Sequence, residues 1–114
     1  TVLTDVPEGC ALATEEIFGP VVLLYRVAGL DKAIEQANAV DYGLQAGIFT
    51  KNLDHAHRAI EELEVGGVMI NDSSDFRIDA MPFGGVKQSG LGREGVKFAI
   101  QEMTDTKVIC FKLG

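Results

Sequence analysis

Several groups of residues have types and spacings that could carry chemistry. Glu15-Glu16 is a carboxylate pair, and paired carboxylates suit general acid–base work when their environments hold them in different protonation states. An exposed pair before a strand is also a common surface arrangement, so the pair alone does not establish a catalytic role. Gly90-Leu91-Gly92-Arg93-Glu94-Gly95 spells G-x-G-x-x-G. In a strand–turn–helix setting such glycines let backbone amides approach a pyrophosphate. A helix follows here, but Gly84–Ser89 does not read as a strand, and no acidic ribose ligand ends a later strand, so the match is not taken as a dinucleotide fingerprint. His55 and His57 stand two apart on a predicted helix, where side chains point about 200° apart and cannot share a metal. Cys10 follows Pro7-Glu8-Gly9 with no neighbouring His or Lys to lower its pKa, and Cys110 lies in an apolar alternation. Neither reads as a nucleophile.

The elements that must position these residues follow from periodicity. Val2–Val6 and Val21–Tyr25 read as strands, separated by a turn at Pro7-Glu8-Gly9 and a polar stretch. Asp31 can cap a helix whose Ala33, Ile34 and Ala37 share a face, ended by Gly43. Leu44–Thr50 is a strand. Asp54 can cap the next helix, with Ala56, Ala59, Ile60 and Leu63 at helical spacing and Glu61, Glu62 and Glu64 on its polar side. Val68–Ile70 is a further strand after Gly66-Gly67. The fold class is therefore α/β, with β-α-β-α-β order and a parallel-type sheet. A long glycine-rich loop over 71–92 follows, then a helix bearing Val96, Ala99, Ile100 and Met103, and a terminal strand over Thr106–Leu113.

Composition narrows the function classes. The chain has 114 residues, 10 of them basic and 17 acidic, for a net charge of −7, which argues against gripping nucleic acid or an anionic membrane through bulk charge. Hydrophobic residues at 46% and charged residues at 24% are the balance of a folded domain. Two distant cysteines suggest neither a disulfide framework nor a zinc knuckle, and a reducing, cytoplasmic location is expected. The chain does not begin with Met and opens inside a strand-like segment, so it is expected to be a piece of something longer.

Two motifs bring a family into view. Glu15-Glu16-Ile17-Phe18-Gly19-Pro20-Val21 resembles the E-x-F-G-P segment of the NAD(P)-dependent aldehyde dehydrogenases. Pro82-Phe83-Gly84-Gly85-Val86-Lys87-Gln88-Ser89-Gly90-Leu91-Gly92-Arg93-Glu94-Gly95 resembles that family's P-F-G-G-x-K-x-S-G-x-G-R-E-x-G segment at every fixed letter. Asp41-Tyr42-Gly43-Leu44 and Val65-Gly66-Gly67-Val68-Met69-Ile70-Asn71 are similar as well, so the likeness covers essentially the whole chain.

The resemblance implies the C-terminal part of a catalytic domain over residues 1–105 and a terminal oligomerisation strand over 106–114. The parent would oxidise an aldehyde to a carboxylic acid with NAD or NADP through a cysteine thiohemiacetal. The nucleophilic cysteine, its glutamate base and the nucleotide-binding domain would lie upstream, and the chain alone is expected to be inactive. Its partners would be the remainder of its own catalytic and nucleotide-binding domains, an aldehyde, and further subunits in a dimer or tetramer.

By position, Glu16 matches the glutamate that accepts from the nicotinamide ribose hydroxyls, and Phe18 the aromatic residue against the nicotinamide. Phe76 and Phe83 match positions bordering the substrate tunnel. Arg77, in Asp72-Ser73-Ser74-Asp75-Phe76-Arg77, looks like a residue of members that act on aldehydes bearing an anionic group; a salt bridge to Asp75 or Asp79 is the other reading. Arg93 and Glu94 are expected to pair and hold the loop. A self-standing α/β binding module without catalysis is the alternative class.

Overall fold

A computed structural model describes residues 1–114. The element order is β1 (Val2–Thr4), α1 (Ala11–Thr14), β2 (Val22–Leu24), α2 (Leu30–Asn38), β3 (Tyr42–Gly43), β4 (Gln45–Ile48), α3 (Leu53–Glu62), β5 (Gly67–Ile70), β6 (Val86–Lys87) and α4 (Val96–Glu102). Strands β1 and β2 pair in parallel in the register Val2↔Val22, and β4 and β5 pair in parallel in the register Gln45↔Gly67. Each pair is joined through a helix, as parallel pairing requires. The α/β class and its parallel crossovers thus match the expectation, but the sheet is not continuous. An open cleft of about 810 Å³, lined by Leu23, Leu24 and Tyr25 on one side and Ala33, Ala37 and Gly47 on the other, separates β2 from β4.

The best-packed region is where α2 and α3 meet β4 and β5. Ile34, Ala56, Ala59 and Met69 form its buried core. Small residues on the inner face of α3 let the helix lie close to the strands. At its N-terminus, Asn52 Oδ1 accepts from the backbone N–H of Asp54 at 2.9 Å and of His55 at 3.3 Å. The cap is therefore Asn52, and Asp54 lies inside the first turn, where its charge complements the helix dipole. Likewise α2 begins at Gly29–Leu30, with Asp31 in its first turn.

Arg58 ties the two helices together, reaching Glu62 at 2.9 Å on its own helix and Asp31 at 2.7 Å on α2. Hydrogen bonds to Glu62 and Asp31 hold its guanidinium above its ordinary pKa, so it stays charged at any working pH. Asn38, at the end of α2, donates to Glu62 O at 2.7 Å and accepts from Glu64 N at 2.9 Å.

The glycine-rich loop returns to this frame through β6, which pairs antiparallel with β3 in the register Tyr42↔Lys87 and Gly43↔Val86. Lys87 secures the return: its ammonium donates to Asn38 O at 2.7 Å and Val40 O at 3.1 Å and pairs with Glu64 at 2.7 Å. A Cβ on Gly66 would collide with the Gly84 carbonyl oxygen, so the two glycine runs meet backbone to backbone. Gly95, at φ +111°, makes the turn into α4 that an L side chain rarely adopts.

The predicted strand over Thr106–Leu113 forms no ladder: residues 104–114 carry no regular element, and Val108, Phe111 and Leu113 are more than four-fifths exposed. A strand exists only with a partner edge, and this chain offers none beside it. Helix α1, in the stretch expected to be merely polar, is a single turn that starts after Cys10, whose side chain makes no capping hydrogen bond. No helix is long and apolar enough to cross a membrane.

Candidate cofactor and substrate site

The sequence-predicted residues fall into two stations. The first follows α1. After Glu15 the backbone turns twice within the five residues 17–21, with Gly19 N donating to Ile17 O at 2.9 Å and Val21 N to Gly19 O at 2.8 Å. Phe18 lies between these tight turns and stands 94% exposed. Glu16 makes no hydrogen bond within the chain, and it lines an open cleft of about 580 Å³ with Tyr42, Gln45, Gln88 and Ser89. An unpartnered carboxylate can accept from two neighbouring hydroxyls, and an exposed ring two residues on can cover a flat heterocycle. The residue set therefore fits the ribose and nicotinamide of a dinucleotide.

The second station is built from the long loop. Phe76 and Arg77 lie in residues 71–80, all exposed, and Phe83 is half-buried. Phe83 and Glu94 exchange backbone hydrogen bonds, Phe83 N to Glu94 O at 3.1 Å and Glu94 N to Phe83 O at 2.6 Å. On this bridge sits Arg77. Its guanidinium carbon is 4.2 Å from the Phe83 ring centroid, and its Nη2 donates to Glu94 Oε2 at 2.9 Å. The alternative ion pair with Asp75 or Asp79 does not form; Asp75 instead accepts from the Ser73 hydroxyl. The Arg93–Glu94 pair does not form either, because consecutive residues of an extended segment point to opposite sides. Arg93 turns inward, donating to Gly85 O at 3.0 Å and Gly92 O at 2.7 Å, while Glu94 turns to Arg77.

Gln45 stands between the stations. It lines the Glu16 cleft, and its Nε2 lies 3.5 Å from Phe76 O. Neither Gln45 nor the Arg77–Glu94 pairing was singled out from the sequence. Gln45 opens a strand as an ordinary polar residue, and Glu94 is 17 positions from Arg77, beyond any helical or strand spacing. Both cysteines are free, Cys10 half-buried at the start of α1 and Cys110 exposed, and neither lines the Glu16 cleft. No group of three His, Cys, Asp or Glu side chains is placed to hold a metal ion.

Residues 1–109 match the Aldehyde dehydrogenase family. The chain is 47% identical over 113 residues to the 3-sulfolactaldehyde dehydrogenase of Priestia aryabhattai, covering 99% of this chain and 24% of that protein. It superposes on aldehyde dehydrogenase 21 from Physcomitrella patens, solved in complex with the reaction product succinate, with a TM-score of 0.91 and 52% identity. That match covers 95% of this chain and 22% of the other. The glyceraldehyde-3-phosphate dehydrogenase GapN of Methanocaldococcus jannaschii, complexed with NADP, is similar at a TM-score of 0.84 and 48% identity, over 91% of this chain and 22% of that one. The chain thus spans under a quarter of the length of the relatives it matches. With the family's match running through both stations, this chain belongs to the aldehyde dehydrogenase family.

Proposed function

We propose that the protein carrying this segment oxidises an aldehyde to a carboxylic acid with NAD or NADP, and that its substrate bears an anionic group. In this reading the attacking cysteine, which forms the thiohemiacetal, and the water-activating glutamate lie in the larger part of the parent. The dinucleotide, when bound, would supply the hydride acceptor. Glu16 accepts hydrogen bonds from the nicotinamide ribose and fixes the ring for transfer, Phe18 confines the nicotinamide, and Phe76 and Phe83 border the path of the aldehyde.

The observation that carries the substrate class is the Arg77 guanidinium, stacked on Phe83 in the tunnel-bordering loop. It uses one N–H on Glu94, which leaves four of its five for a carboxylate, sulfonate or phosphate. The names of three similar proteins point the same way, since succinate, sulfolactaldehyde and glyceraldehyde 3-phosphate each carry such a group. Residues 106–114, apolar and unpaired, serve in this reading as the strand through which subunits of a homo-oligomer join, and the free thiols suit a cytoplasmic enzyme.

The test is Arg77→Leu in the full-length enzyme, assayed on anionic and neutral aldehydes of equal size. A substrate-binding Arg77 lowers kcat/KM for the anionic set by roughly 1.5–3 kcal/mol and leaves the neutral set unchanged. Equal losses for both sets would refute the anion-binding role.

A further inference from the structure

We propose that Gln45 is a positioning residue for the aldehyde path: it holds the backbone of the loop segment that presents Phe76. The inference rests on the proposed placing of Phe76 beside the aldehyde and goes beyond it to the group that fixes where that side chain stands. The loop leaves β5 at Asn71, whose φ of 60° is one that few non-glycine residues adopt and that turns the chain back over the sheet. Asn71 is tied to the end of β4 twice, through its N–H to Ile48 O at 2.7 Å and through its Oδ1, which accepts from Thr50 N at 2.8 Å. Residues 72–76 then run over one face of β4. A Cβ on Gly47 would stand 2.5 Å from the Asp72 carbonyl oxygen and 3.2 Å from Ser74 N, so the loop backbone lies directly on that glycine. Two residues earlier on the same face, Gln45 Nε2 donates to Phe76 O at 3.5 Å.

The Gln45 side chain has a seat of its own. In the register of β4 and β5 it is paired with Gly67, and a Cβ on Gly67 would come within 3.3 Å of Nε2 and 3.6 Å of Cγ. The half-buried carboxamide thus lies across the space a paired side chain would fill, with its tip at the loop. Residues 74–80 are all exposed, and Gln45 supplies the one side-chain hydrogen bond to their backbone. A loop so open to water samples many conformations, and each aldehyde that binds against it must first order it. An anchor at Phe76 O does part of that ordering before the aldehyde arrives.

The test uses the full-length enzyme with Gln45→Met and Gln45→Glu, beside Phe76→Ala, on a carboxylated and a neutral four-carbon aldehyde. Met keeps the length of the side chain over Gly67 without the N–H, and Glu replaces the donor with a carboxylate that repels the Phe76 carbonyl. Gln45→Met is expected to raise KM for both aldehydes about fivefold with kcat within about twofold, and Gln45→Glu to raise it further. Hydrogen exchange at the amides of 74–77 should quicken in both variants, while the Kd for NAD(P) stays at its parental value. If Phe76→Ala raises KM but Gln45→Met and Gln45→Glu alter neither KM nor exchange, Gln45 does not hold the loop and this proposal fails alone. If Phe76→Ala leaves KM unchanged, the aldehyde passes elsewhere and the reading of Phe76 itself fails. A harmless Met beside a harmful Glu would show that the side chain only fills space. Faster exchange with an unchanged KM would make Gln45 a prop for a loop the aldehyde does not feel, and weaker NAD(P) binding with unchanged exchange would assign it to the Glu16 cleft. Any of these three overturns the positioning role. Thermal melting of both Gln45 variants, expected at the parental temperature, separates these effects from misfolding.

Discussion

Glu16 and Arg77 are both charged side chains on irregular backbone, and in the proposed function they meet their ligands in opposite ways. Arg77 is held in advance by Phe83 and Glu94, whereas Glu16 has no partner and is placed only by the turns around Ile17 and Gly19. In the proposed role such a carboxylate would acquire its geometry on binding the ribose, so its hydrogen bonds should matter most in the step that needs the nicotinamide in register. In the full-length enzyme, Glu16→Gln is therefore expected to slow single-turnover hydride transfer, read by NAD(P)H absorbance, by roughly tenfold, because an amide offers one acceptor oxygen to two hydroxyls. Aldehyde capture, read separately by thiol protection, should be unchanged. Unaltered hydride transfer would reduce Glu16 to a solvated surface residue. Which acid is the candidate is legible only through motif spacing: Glu15 and Glu16 are alike in type, and the E-x-F-G-P pattern singles out the second.

At the scale of elements, periodicity located α2, α3, β5 and α4, because their apolar residues recur at the spacing that burial demands. It failed where a partner decides. Asp54 and Asn52 are both good cap residues, and only the chain's entry angle shows that Asn52 reaches the free N–H groups. Asn52→Ala should accelerate hydrogen exchange at the Asp54 and His55 amides and cost about 1 kcal/mol of local stability, whereas Asp54→Ala should cost a fraction of that. Exchange data ranking the two the other way would return the cap to Asp54. The same limit applies to the loop. Residues 71–92 have no period, so nothing in them announces that β6 will pair with β3, or that Lys87 will close the loop on Asn38, Val40 and Glu64. Strand pairing and ion pairing across tens of residues are set by topology, and sequence spacing carries no trace of them.

The whole molecule is far from a closed domain. A compact monomer of 12.2 kDa exposes roughly 6,100 Å², and this chain exposes 9007 Å². Its radius of gyration is 18.9 Å, against about 13 Å for a self-contained domain of this length. Only 6 of 114 residues are buried, while Phe18, Phe49, Leu53, Val96 and the apolar side chains of 108–113 stand open. Apolar surface on this scale is covered by something in the working protein. The isolated 114-residue chain is accordingly expected to associate in a concentration-dependent way by sedimentation velocity and to bind a hydrophobic dye. It should also make no detectable NAD(P)H from any aldehyde, since neither cysteine lines the Glu16 cleft. Supplying the remainder of the parent in trans should suppress both dye binding and self-association, because the same surfaces then find their intended cover. A monodisperse monomer with a radius of gyration near 13 Å by solution scattering would overturn this view and favour a self-standing binding module. Activity in the isolated chain, lost on Cys10→Ser or Cys110→Ser, would move the nucleophile into the segment and undo the division of labour proposed above.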